Sequence, residues 1–384
     1  MSGRTPALNI SRRKERKANA AVLSAICLAI LGNTTGCEKA PGQSVLTPCS
    51  ATHNCVFDTP SVREKPQLLW QRRVEGLASR TCVVRNDTVF FGSYKLTEKT
   101  GGFCAADAHD GHMIWQTYCG SMVHFGPLLH GETAFYGIKS DALVAVDAGT
   151  GKIRWRFPTA GKCCQPPALV GDALLFGTHG KRFYSVDARS GTLRKGITVR
   201  DGICCSPSFA GSHVYYTEWN GMVHALDAGT LEDSWSYQAP HRTEEPPTVD
   251  GDKCYVVAGK LVIALKVASG DVLWQSEVND AICTAPGAKD GIVVVRTETG
   301  QSCGLSAEDG RILWRTEPTG LSYSYPAICG DLVYIGAADS LLYAHDLNTG
   351  RKMWTFYMGA PVNSPGIYDG VLYVTAGDCL YALR

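Results

Sequence analysis

From Gln67 onward the chain repeats itself about every 40 residues, and that period constrains its fold more than any other feature. "GETAFYGIKSDALVAVDAGTGKIRW" (131–155) is followed by "GDALLFGTHGKRFYSVDARSGTLRK" (171–195). "GDKCYVVAGKLVIALKVASGDVLW" (251–274) and "GDLVYIGAADSLLYAHDLNTGRKMW" (330–354) carry the same pattern. Trp115, Trp155, Trp235, Trp274, Trp314 and Trp354 share one position in it, and Lys195 fills the slot between Trp155 and Trp235. Within a unit, short runs such as "ALLFGT" and "RFYSVD" alternate with Gly, Asp and Asn turns. Such runs predict antiparallel strands joined as hairpins, and no helical periodicity competes with them.

Four strands per unit make one blade of an all-β propeller. A proline precedes each first turn, at Pro127, Pro167, Pro207, Pro247, Pro286, Pro326 and Pro365, and Cys82 holds that place in the first unit. The count is therefore eight. The last unit ends at "CLYALR" without an outer strand, and the missing piece stands at the other end, in "QLLWQRRV" (67–74) with Trp70. Pairing the two closes residues 67–384 into an eight-bladed β-propeller and removes the edges of an open array.

Ahead of the ring, residues 1–37 read as an export signal. A basic segment with Arg12, Arg13, Lys14, Arg16 and Lys17 precedes the uncharged "ANAAVLSAICLAIL" (18–31), and "NTTGC" resembles the lipobox of bacterial lipoproteins, which makes Cys37 the lipidation candidate. Residues 38–66 are polar and rich in Pro, and are expected to be a flexible tether, with Cys49 and Cys55 able to close a small loop. A formal net charge of +1 offers no basic excess for nucleic acid. The chain is expected in the bacterial envelope, facing the periplasm or cell surface and monomeric by itself. In that setting its 16 cysteines have disulfides as an open fate.

The "DAGTGKIRW" segment and its cognates resemble the PQQ-like, quinoprotein-type propeller repeat. That resemblance implies a docking role between blades for Trp70, Trp115, Trp155, Trp235, Trp274, Trp314 and Trp354. The family includes quinone-dependent dehydrogenases, which are longer, with insertions that roof the cofactor. It also includes a lipoprotein of this length, the propeller subunit of the outer-membrane β-barrel assembly machinery, which binds its partner through rim loops.

Three residues before each marker proline lies one equivalent position, reading Ser79, His124, Cys164, Cys204, Glu244, Cys283, Tyr323 and Val362 around the ring. Inner strands line the channel, so these side chains are expected at one mouth, flanked by Cys163, Cys205 and Glu245. Three chemistries fit the cysteines. They are buried thiols; or they form a disulfide, either Cys164 to Cys204 or between adjacent cysteines; or His124, Cys164, Cys204 and Cys283 hold a soft metal. The quinoprotein alcohol dehydrogenases carry bonded adjacent cysteines beside their cofactor, which the "CC" pairs resemble. Tyr323 and Tyr325 with Phe125 are expected to make the mouth adhesive to an extended peptide, and His179, His213 and His224 to be solvated or satisfied histidines. The functional expectation is a non-catalytic protein-binding scaffold without a cofactor, possessing a membrane anchor at Cys37. The alternative is a redox or metal-binding protein that uses the cysteine-lined mouth with PQQ or a soft metal.

Overall fold

The computed structural model describes Gln43–Ser44 and residues 55–384, and the export signal, Cys37 and Cys49 lie outside the described residues. Eight antiparallel sheets follow one another around a ring, as the period demands. Blade 1 is built from Leu77–Arg85, Thr88–Lys95, Thr100–Asp107 and Met113–Tyr118, running from the channel outward. Blade 8 takes Gly366–Tyr368, Val371–Ala376 and Cys379–Leu383 from the end of the chain and its outer strand, Leu68–Arg73, from the start. The closing register pairs Leu68 with Leu383 and Arg73 with Cys379.

Burial within a blade follows from its two neighbours. In blade 2 the second strand, Thr133–Ile138, is buried at every position, whereas the outer strand, Ile153–Pro158, alternates towards solvent. Each middle strand is covered on both faces by adjacent blades, so it reads as a continuous apolar run.

Six of the seven predicted seam tryptophans, all but Trp354, dock in the same way. Trp115 Nε1 donates to Ala148 O of the next blade at 2.9 Å, Trp274 to Ala307 O at 3.1 Å and Trp314 to Leu347 O at 2.8 Å. The indole lies on a glycine of that blade's turn. At Gly151 (φ +72°) a Cβ would fall 2.6 Å from the Trp115 ring, so no other residue lets the plane approach. The exceptional seam carries two substitutions at once. Lys195 donates its Nζ to Thr230 O, and the glycine position is Leu231, which is 4% exposed and belongs to the buried cluster between blades 3 and 4. An aliphatic side chain from one blade fills the space the indole of the other would take.

Part of the expected tether is docked. Val56–Phe57 pairs in parallel with Ala327–Cys329, the innermost strand of blade 7, and Gln43–Ser44 pairs with Val84–Arg85, the innermost strand of blade 1. Phe57 is 3% exposed. Val62 O accepts the Trp354 indole N–H at 3.0 Å, and Val62 N donates to Tyr334 Oη at 2.6 Å. The reason is the break in the ring. In blade 8 no turn joins the third strand to the outer one, which is Leu68–Arg73, and the segment just ahead of Leu68 supplies the carbonyl for Trp354 instead.

Candidate functional site

The inner strands all begin at the same end of the channel, and the residues leading into them form the mouth. Side chains alternate there with the strand period of two, and this explains the doubled cysteines. Cys163 is 1% exposed and packs with Phe135, Leu174 and Phe176, while Cys164 turns to the mouth, half-buried, with its Sγ 3.5 Å from His179 Nε2. Cys205 is 3% exposed, its Sγ 3.2 Å from Thr217 Oγ1, while Cys204 is half-buried at the mouth. Glu244 and Glu245 divide likewise. Glu244 is exposed and pairs with Arg242 at 2.6 Å, whereas Glu245 turns inward.

Of the three chemistries open to the cysteines, the disulfide is not formed in this structure: Cys163, Cys164, Cys204 and Cys205 all stand as thiols. In each adjacent pair the two side chains diverge, Cys163 and Cys205 into the core and Cys164 and Cys204 to the mouth. The four candidate metal ligands are not gathered into one set either. The one group of three ligand atoms within 4.8 Å of one another among the described residues is Asp107, Asp110 and His112, in an outer turn of blade 1. Cys283 instead lies 3.7 Å from the carbonyl oxygens of Arg296 and Ser322. His124 stacks on Tyr94, centroids 4.6 Å apart, and its buried Nε2 has no hydrogen-bond partner among the described residues. Burial, reinforced by Lys139 and Arg80, pushes its pKa down to about 3, so the imidazole is neutral.

Arg80, which sequence reasoning missed, occupies the centre of the mouth. Its N–H donates to His124 O at 2.7 Å, and its guanidinium lies 4.4 Å from the Tyr323 ring centroid and 5.9 Å from that of Phe125. Its place beside the marker residue Ser79 was the available signal. Below it, Phe125 of blade 2 stacks on Tyr325 of blade 7 at 6.5 Å, and both are 7% exposed in a cluster with Cys55 and Ala285. Of the three aromatics expected at an adhesive surface, Tyr323 alone is exposed, at 45%; the others plug the axis. Glu245 adjoins this plug. Burial raises its pKa to about 7, against the opposing effects of a Tyr325 hydrogen bond and the Arg80 charge. Phe125 and Tyr325, from blades three places apart in the ring, thus already meet within the channel.

His224 is satisfied by two carboxylates. Its Nδ1 lies 2.9 Å from Asp233 Oδ1 and its Nε2 3.1 Å from Glu218 Oε1, with Tyr216 stacked on the ring at 4.9 Å. Glu218 closes the strand turn at the mouth end of blade 4 and accepts the Asp201 N–H at 2.7 Å.

A family model described as outer membrane protein assembly factor BamB matches residues 62–203, 194–285 and 259–383. The BamB of Yersinia pestis is 25% identical over 192 residues, which cover 42% of this chain and 49% of that protein. The chain thus spans about half the length of that relative. Among solved structures, BamB from Moraxella catarrhalis superposes with a TM-score of 0.69 at 18% identity, covering 83% of this chain and 98% of that one. A europium-containing methanol dehydrogenase superposes with a TM-score of 0.78 at 13% identity, covering 90% and 98%. These identities establish a shared fold, which an assembly factor and a dehydrogenase both use.

Proposed function

This chain belongs to the family of the outer membrane protein assembly factor BamB, and from that membership we propose that it is a non-catalytic envelope scaffold that docks a protein partner during outer-membrane protein assembly. In this reading residues 1–37 direct export, lipid on Cys37 holds the protein to the membrane, and the mouth face meets the partner. The supporting observation is the loop at that face, where Leu321 and Tyr323 are 48% and 45% exposed and Arg80 lies against the Tyr323 ring. Aromatic and arginine side chains at the centre of a patch are the groups that dominate protein interfaces.

The test is crosslinking in intact envelopes, followed by purification of the chain. A barrel-assembly component should copurify with the natural chain and be lost from Leu321→Asp/Tyr323→Ala. Recovery of no such component, or equal recovery with the variant, would refute the docking face. Cys37→Ala should release the protein from the membrane fraction, and unchanged retention would remove the anchor.

A further inference from the structure

The mouth gathers two cysteines, from neighbouring blades, with a histidine, and neither the docking reading nor the family accounts for them. Cys164 and Cys204 stand at equivalent positions ahead of the inner strands Ala168–Val170 and Ser208–Ala210. The seam between those strands is pinned immediately beside them, by Ser206 N to Gln165 Oε1 at 3.2 Å and Ser206 Oγ to Pro166 O at 2.8 Å. Both thiols are half-buried and within reach of small solutes, whereas their neighbours Cys163 and Cys205 are enclosed in the core. His179, whose ring is set edge-on against Trp219 at 4.6 Å, holds its Nε2 3.5 Å from the Cys164 sulfur. We propose that Cys164 and Cys204 are an oxidisable thiol pair, in which Cys164 reacts first with a low-molecular-weight disulfide, His179 takes its proton, and Cys204 resolves the product into a bond across the seam.

The order follows from the surroundings. Burial raises the Cys164 pKa despite Lys139 and Lys162, so the resting group is a thiol and needs a base when it attacks. Burial, then Lys162 and Lys139, lower the His179 pKa, which keeps the imidazole neutral and able to accept that proton. Cys204 is the poorer first nucleophile, because burial, the Cys164 sulfur, Cys205, Glu245 and Glu244 all oppose its ionisation.

In the first step the Cys164 sulfur bonds to one sulfur of RSSR. The S–S bond breaks, its electron pair leaves on RS⁻, and the proton held by His179 passes to that thiolate. In the second, Cys204 attacks the Cys164 sulfur of the mixed disulfide and expels a second RSH. Two protein thiols are oxidised and one RSSR is reduced to two RSH. The product ties blade 3 to blade 4 at the mouth.

The experiment uses the full chain, reduced, freed of reductant, exposed to glutathione disulfide, quenched with N-ethylmaleimide and mapped by peptide mass spectrometry. The expected product links the peptide bearing Cys164 to the one bearing Cys204, and Cys163→Ala and Cys205→Ala should retain that link. Cys204→Ser should stop with glutathione on Cys164. His179→Gln should slow the first adduct roughly tenfold to a hundredfold near neutral pH, the low end of what a positioned base contributes. That gap should narrow at high pH, where the thiol ionises unaided, a trend that mere loss of packing would not produce. Three results would each overturn the proposal: a bond between Cys163 and Cys164, adduct formation on Cys204 at an undiminished rate in Cys164→Ser, or a natural chain whose mouth thiols are alkylated unchanged.

Discussion

Removing one seam indole tests how the ring is held together. Trp314 is 7% exposed, its N–H is bonded to Leu347 O at 2.8 Å, and its plane lies on Gly350. An indole buries about 150–250 Å²; at about 25 cal/mol per Å² that is about 4–6 kcal/mol. The lost hydrogen bond adds about 1 kcal/mol, and partial collapse of the cavity returns some of the total. Trp314→Ala should therefore destabilise the ring by about 3–5 kcal/mol, read from urea unfolding followed by far-ultraviolet circular dichroism. The exceptional seam is the internal control. Lys195 is exposed and makes one contact of note, to Thr230 O, so Lys195→Ala should cost less than about 1 kcal/mol. Leu231→Ala, which empties the space that an indole fills elsewhere, should cost about 2–5 kcal/mol. If Lys195→Ala proved as costly as Trp314→Ala, or Leu231→Ala proved neutral, the seam would not be held by burial as argued.

Two further tests address parts of the structure that the repeat does not cover. Phe57→Ala should cost about 3–5 kcal/mol by the same measurement, because the ring is buried against blade 7; no effect would mean that this segment is a tether after all. His224 should make stability depend on pH. Burial alone would lower its pKa, but attraction to Glu218 and then Asp233 outweighs burial and raises it. The charged form is favoured by folding, so its contribution is complete below about pH 6.5, the unfolded value, and fades as pH rises through the higher folded value. The difference in melting temperature between the natural chain and His224→Gln should shrink from pH 6 to pH 9, and a constant or growing difference would remove the ion pair from the account.

Much of the site was legible one residue at a time. The marker positions align His124, Cys164, Cys204 and Glu244 just ahead of their inner strands, because each unit carries the same strand start. Their partners were not legible. Arg80 follows a buried serine in the one unit without the marker proline, and His179 belongs to a turn whose equivalents carry Asn220 and Lys260. Nothing in the spacing says that this turn bends over the Cys164 sulfur. The same limit applies to His224, whose carboxylate partners come from a turn and an outer strand.

Period and pattern by themselves determined the ring: eight blades, one shared tryptophan position per unit, and closure through the strand at Trp70. Each of these is a contact between a unit and its immediate neighbour, repeated often enough for the sequence to display it. Tertiary structure alone decided what happens on the axis and at the break in the ring. Phe125 meets Tyr325 across the channel, adjacent cysteines divide between core and mouth, and Val62 supplies the carbonyl that Trp354 would otherwise lack. The contacts of Phe125 and Val62 occur once each, so no periodicity announces them.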